Sequence, residues 1–185
     1  MIELETPRLR LRQWRESDRE PFAALNADPV TMEFLPAPLA REASDAMLDG
    51  FRQQIAVRGW SNWAVEVAKS EEFIGFVGLS IPKRTFAFSP CVEVGWRLAR
   101  QHWGRGYASE AAGGALRAGF EQIGLEDIVS FTALLNVRSR KVMERIGMRD
   151  ARQDFEHPAL PEGHPLRPHC LYRVTREEWL EWSRE

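Results

Sequence analysis

The stretch Gln101-His102-Trp103-Gly104-Arg105-Gly106-Tyr107-Ala108-Ser109-Glu110-Ala111 holds the strongest chemical signal in the chain. Two glycines let the backbone take left-handed angles and come close to a bound group. Small residues at Ala108, Ala111, Ala112 and Ala115, with Leu116 and Phe120, then recur at helical spacing, so a helix starts at the turn. The first amides of that helix are unpaired and its dipole is positive there, which suits an anion such as a pyrophosphate. A plain tight turn before a helix would use the same glycine pair. A nucleotide-binding P-loop does not fit, because no Gly-Lys-Ser/Thr follows. A dinucleotide fingerprint is a near miss: Ser109 stands where the third glycine belongs, and five residues separate the expected strand end, Leu98, from Gly104.

Other residues offer less specific chemistry. Asn136 is placed to cap a helix. Ser139 shares the inward stripe of that helix with Val142, Met143 and Ile146, and an inward hydroxyl needs a partner. Arg105, Arg138, Arg140 and Lys141 surround these two segments and suit an anionic ligand. His157, His164 and His169 lie in a Pro-rich loop whose spacing is not that of a common zinc site, so no metal is expected. Cys91 and Cys170 belong to no nucleophile or metal motif and read as buried thiols.

The elements that must position these groups follow from periodicity. Arg8 to Trp14 alternates Leu9 and Leu11 with Arg8, Arg10 and Arg12, which predicts a strand with one wet face. Ser17 with Glu20 forms a capping box for a short helix, and Ala43, Met47, Phe51 and Ile55 mark a second helix stopped by Gly59. Trp63 to Ala68, Phe73 to Ile81 and Val92 to Leu98 read as an antiparallel meander. The small-residue helix ends near Gly124. Ile128 to Leu134 is a fifth strand, Arg138 to Ile146 a helix closed by Gly147, and Met148 to Phe155 and Leu171 to Val174 the last two strands. Thr175 with Glu178 caps the final helix. The order predicts an α/β domain, residues 1–185, around one largely antiparallel sheet of about seven strands.

The whole chain bounds the answer from outside. Its 185 residues suit one domain, and 44% hydrophobic with 28% charged residues is an ordinary globular composition. Net charge is -2, with 25 basic and 27 acidic residues interspersed, which disfavours a general nucleic-acid binder. No segment is long and apolar enough for a membrane span, and Met1 to Arg12 has no apolar secretory core, so a cytoplasmic location is expected.

Gln101-x-x-Gly104-x-Gly106 followed by Tyr107-Ala108-x-Glu110-Ala111 resembles the coenzyme A pyrophosphate motif of the GCN5-related N-acetyltransferases, or GNAT family. Thr6-Pro7-Arg8-Leu9-Arg10-Leu11-Arg12 is similar to the first strand of the ribosomal-protein branch, the RimJ/RimL type. Glu93-Val94-Gly95-Trp96-Arg97-Leu98 resembles the fourth strand of the family, and Asn136-x-x-Ser139 running to Ile146-Gly147-Met148 its late helix. These motifs occur in the family's order and together cover most of the chain.

The resemblance implies a GNAT fold whose fourth and fifth strands splay apart, with acetyl-coenzyme A as co-substrate and a primary amine as acceptor, either a protein N-terminus or a small amine such as a polyamine or drug. It implies coenzyme A contacts from Trp96, Leu98, Gln101, Trp103, Gly104, Arg105, Gly106, Tyr107, Ala108, Asn136, Ser139 and Arg140. Gly95 would form a bulge beside the thioester, and amides around Val94 and Trp96 would hold the developing oxyanion. Glu93 is the first candidate for general base, with Glu66 in reserve, and Ser139 faces the leaving sulfur. Many relatives carry an acid tyrosine on that helix; none lies between Asn136 and Gly147 here. Direct transfer between two bound substrates, in a monomer or homodimer, is the expected mechanism. The alternatives are a coenzyme A-binding module without turnover and an NAD-dependent oxidoreductase on a parallel sheet.

Overall fold

The computed structural model describes residues 1–183, and the last two residues of the expected domain lie outside the described residues. Alternation after Pro7 gives β2 (Leu9–Arg12), which pairs antiparallel with the short β1 (Leu4–Glu5) and with β3 (Asn62–Val67). Leu9 and Leu11 are fully buried, as the pattern requires. Arg12 is buried as well, so the expected wet face does not extend to it. It pairs with Asp18 at 2.7 Å and with the fully buried Glu66, and two carboxylate partners allow a guanidinium to leave water.

Helix α1 (Arg19–Ala27) is not capped by Ser17 and Glu20 as expected. Asp18 supplies the local bond instead, accepting the backbone N–H of Arg15 at 2.7 Å. Helix α2 (Arg41–Arg58) ends at Gly59, whose φ of 86° only glycine adopts freely. Its buried positions are Ser44, Leu48 and Ile55. Ala43 is exposed, so the stripe begins one residue later than expected and leaves Met47 and Phe51 half-buried on its flank.

Strands β4 (Phe73–Ser80) and β5 (Glu93–Leu98) complete the meander in unbroken antiparallel register. Helices α1 and α2 cover the face of the sheet that presents Phe76 to Phe22 and Phe51. On the opposite face lies α3 (Tyr107–Ala118), its Ala111, Ala112 and Ala115 fully buried, continued by a wider turn to Gly124. Strand β6 (Asp127–Ala133) and α4 (Val137–Arg145) follow.

The single strand expected over Met148 to Phe155 divides into β7 (Arg149–Asp150) and β8 (Phe155–Glu156). Arg152 between them takes a φ of 52° while its N–H is held by Asp150 Oδ1 at 2.8 Å, which interrupts the extended chain. Strand β9 (Pro168–Thr175) starts three residues before the expected Leu171 and pairs with β6, β7 and β8. Thr175 and Glu178 form the expected capping box of α5 (Arg176–Trp182).

The sheet order is β1-β2-β3-β4-β5-β6-β9-β7, with β8 on β9, nine strands among the described residues where about seven were expected. The α/β class and the antiparallel sheet flanked by helices stand. Among the described residues only β5 and β6 run parallel, and they share a single register pair, Glu93 with Val129. The parallel sheet that an NAD-dependent oxidoreductase required is absent among the described residues.

Candidate active site

The parting of β5 and β6 is local and can be followed bond by bond. Val129 donates its N–H to the carbonyl of Val92 at 2.9 Å, and the parallel pair at Glu93 directs the N–H of Val94 to Val129 in turn. Ser130 Oγ donates to the carbonyl of Val94 at 2.9 Å. After Val94 the two strands no longer pair. Backbone groups alternate along a strand, so those of Trp96 and Leu98 face the gap as those of Val92 and Val94 face β6. The carbonyl of Leu98 is taken by Trp103 Nε1 at 2.7 Å, which leaves the N–H groups of Trp96 and Leu98 turned to the gap. Val94, expected among the oxyanion donors, has its backbone spent on β6.

Gly95 forms no bulge. Its register with Gly78 is regular, and the register shift in this part of the sheet lies at Val65 and Glu66 of β3. A Cβ added at Gly95 would meet nothing within 4 Å, so the residue opens onto free space instead of lying beneath a neighbour. That space is a cleft of about 780 Å³, a size that accepts a cofactor-like ligand.

Glu93 enters the cleft on the face shared with Gly95. Burial pushes its pKa up to about 7, against a pull downward from Ser80, whose Oγ donates to Glu93 Oε1 at 2.9 Å. A carboxylate in this state takes and returns protons near neutral pH. Glu66, the reserve candidate, lies elsewhere, fully buried and paired with Arg10, Arg12 and Arg15.

The glycine turn closes one end of the cleft. Gly104 and Gly106 have φ values of 75° and 79°, and Gly106 is the N-cap of α3. Gly104 is exposed, with nothing within 4 Å of an added Cβ. The turn is tied to the start of the chain. Glu110 accepts from Thr6 Oγ1 at 2.6 Å, from the Arg8 N–H at 2.8 Å and from Arg8 Nε at 2.6 Å, while Arg8 Nη1 donates to the carbonyl of Arg105 at 2.9 Å. Partial burial pushes the Glu110 pKa up, but the bonds from Thr6 and Arg8 outweigh it and hold the group below the usual carboxylate range. Two stretches singled out separately in the sequence are thus one structural unit.

On the other wall, Asn136 caps α4 by accepting the N–H of Ser139 at 3.2 Å, and its amide nitrogen donates to Thr132 Oγ1 and Ser139 Oγ, both at 3.0 Å. Since Ser139 Oγ accepts that bond, its own proton is free to be donated. Arg138, Lys141 and Arg145 line the same side.

Of the residues expected to form the site, Glu93, Val94, Trp96, Leu98, Trp103, Gly104, Gly106, Tyr107, Ala108, Asn136 and Ser139 line the cleft. Gln101, Arg105 and Arg140 do not. Gln101 and Arg105 are exposed, and Arg140 turns back to the carbonyl of Leu134 at 3.4 Å. Residues that sequence reasoning passed over include Ser130, which fixes the edge of the gap, and Arg97 and Lys83 in the opposite half. Arg97 carried a signal in its alternation with Trp96 along β5, whereas Lys83 sits in an irregular loop that has none. His157 and His169 also line the cleft, 4.7 Å apart, packed with Phe86, Phe131 and Phe155.

The splayed parallel pair, the glycine turn at a helix start and the buried Glu93 share one cleft, and comparison with known proteins gives the family. Residues 8–149 match the model of the acetyltransferase (GNAT) domain. The chain is 30% identical over 194 aligned positions to the FsC-acetyl coenzyme A-N(2)-transacetylase of Aspergillus fumigatus, covering 98% of this chain and 79% of that protein. Its fold is similar to a GNAT-family acetyltransferase from Bacillus anthracis, with a TM-score of 0.79, 24% identity and coverage of 95% and 99%. It is also similar to the spermidine N-acetyltransferase of Vibrio cholerae in complex with CoA and spermine, with a TM-score of 0.73, 20% identity and coverage of 93% and 98%. The chain belongs to the GNAT family of acetyltransferases. It is an N-acetyltransferase, and acetyl-coenzyme A is the co-substrate of this family.

Proposed function

We propose that this cleft holds acetyl-coenzyme A with its diphosphate on the Gly104–Gly106 turn and its thioester in the gap beyond Val94, and that it passes the acetyl group directly to a primary amine. The observation that carries the reading is the release of β5 from β6 after Val94, which opens free backbone donors onto the same cleft as the glycine turn. Lys141 and Arg145, with Arg138 paired to Glu33 at 2.6 Å beside them, supply the positive charge that phosphates need.

Glu93 takes the proton that an acceptor ammonium must lose, directly or through water. The amine nitrogen then bonds to the carbonyl carbon, loses its remaining extra proton to solvent, and the carbon–sulfur bond breaks. The N–H groups of Trp96 and Leu98 stabilise the negative charge that develops on the oxygen. Ser139 donates a hydrogen bond to the sulfur, which departs with the bonding electrons as a thiolate and gains its proton from solvent. Cys91 and Cys170 are both buried, and burial pushes both thiols up, away from the thiolate form a nucleophile requires.

The N(2)-transacetylase relative and the spermine-bound neighbour act on, or hold, amines, which supports the acceptor class. Thiol release from acetyl-coenzyme A, followed across a panel of primary amines and peptides, tests the reading. Release that depends on an amine supports it. Acetyl-coenzyme A binding with no release for any amine would leave only a binding module.

A further inference from the structure

Arg97 projects from β5 into the half of the cleft covered by α1 and α2. Its Nη1 donates to Asn26 Oδ1 at 2.6 Å and lies 3.9 Å from Met47 Sδ, and its guanidinium carbon is 5.3 Å from the centre of the Phe76 ring. Asn26 is fully buried and held by its own bond to Ser44 Oγ at 2.9 Å, so the site that aims the guanidinium is rigid. Among the described residues, no carboxylate lies within ion-pair distance of Arg97. The contrast with the buried Arg12, which has both Asp18 and Glu66, is direct.

A guanidinium has five N–H donors, and neutral partners here engage only one nitrogen. Partial burial of a cation without a counter-ion is costly, so a ligand that brings negative charge to this wall is favoured. Burial lowers the pKa of Arg97 to about 10, which still leaves it charged at neutral pH. Of the cations lining the cleft, Arg138 is paired with Glu33 at 2.6 Å and Lys141 and Arg145 lie on the side proposed for coenzyme A, which leaves Lys83 and Arg97 in the acceptor half against Glu93. A polycationic acceptor would meet the like charge of Lys83 and Arg97.

Building on the acetyl-transfer reading, we infer that the acceptor amine carries a carboxylate that Arg97 binds in the α1–α2 half of the cleft. The N–H groups proposed to hold the thioester oxygen belong to Trp96 and Leu98, on either side of Arg97, while the Arg97 guanidinium is carried off the sheet to Asn26, so the carboxylate and the reacting nitrogen are separated by several bonds. An amino acid with its amine remote from the carboxylate, or a short peptide, meets this requirement. A polyamine does not.

Calorimetric titration of the coenzyme A-loaded protein with matched amines provides the test. Aminohexanoate and glycylglycine are compared with their carboxamides, and spermidine forms a third arm. The carboxylates bind at least ~10-fold more tightly than their carboxamides, and Arg97→Met removes the difference. Equal affinity within each pair, no measurable binding of any carboxylate, or tighter binding of spermidine overturns the inference. The comparison within wild-type protein stands even if the variant folds poorly. Thiol release measured in parallel separates the two readings. A carboxylate preference without release sinks acetyl transfer and leaves Arg97 an anion site, whereas release without preference does the reverse.

Discussion

Glu93 titrates near neutrality because of where β5 runs. The strand carries it into a cleft with Ser80 as its hydrogen-bond partner, and burial raises its pKa to about 7. A carboxyl group whose folded pKa exceeds its unfolded value contributes stability below the unfolded value and loses that contribution as pH rises through the folded one. Glu93→Gln therefore raises the melting temperature by a few degrees at about pH 8 and leaves it nearly unchanged at about pH 4. The same variant loses the rise of kcat/KM through pH ~7 and at least ~100-fold of the rate above it. A variant with wild-type rate and pH profile would remove Glu93 from the role of base. At this scale the sequence was informative where chemistry and pattern coincide. Glu93, Gly104 and Ser139 all face the cleft, but Arg140 points elsewhere because one step along a helix turns a side chain by about 100°.

The glycine turn depends on a partner far away in sequence. Glu110, in the first turn of α3, joins Thr6 and Arg8 to the carbonyl-bearing side of the turn at Arg105. Glu110→Ala is expected to raise KM for acetyl-coenzyme A several-fold while kcat at saturation is kept, a split that a purely structural lesion would not produce. Because its folded pKa is depressed, the stability Glu110 contributes is present above its unfolded pKa and is lost as pH falls through the lower folded value. Melting curves of wild type and variant should therefore converge in acid. Helix ends were legible because Gly59, Gly147 and the Thr175–Glu178 box act within a few residues. The division of Met148 to Phe155 was not, since an Asp150 side chain closing on the Arg152 N–H leaves no mark on hydrophobic period.

Across the whole molecule, stability and chemistry occupy different parts of the sheet. Near one edge Arg12, Asp18 and Glu66 form a buried ion cluster joining β2 and β3 to the start of α1, and in the middle β5 releases β6 to make the cleft. Glu66→Ala leaves a buried guanidinium short of charge and is expected to cost ~3–5 kcal/mol of stability. Its turnover well below the melting temperature should stay near wild type, and a large loss of kcat there would return Glu66 to the catalytic candidates. The cluster escaped sequence reasoning because an alternating Arg reads as a solvated face until its partners, six and 54 positions away, are known.

Titration of acetyl-coenzyme A into wild-type protein and Gly104→Glu addresses the central claim most directly. A Cβ added at Gly104 meets no protein atom within 4 Å, so a glutamate there is free to reach toward the place proposed for the diphosphate, at a conformational cost of only ~1–2 kcal/mol. Saturable binding to wild type, weakened at least ~30-fold in the folded variant, is the predicted result. Equal affinity for both proteins would contradict the account.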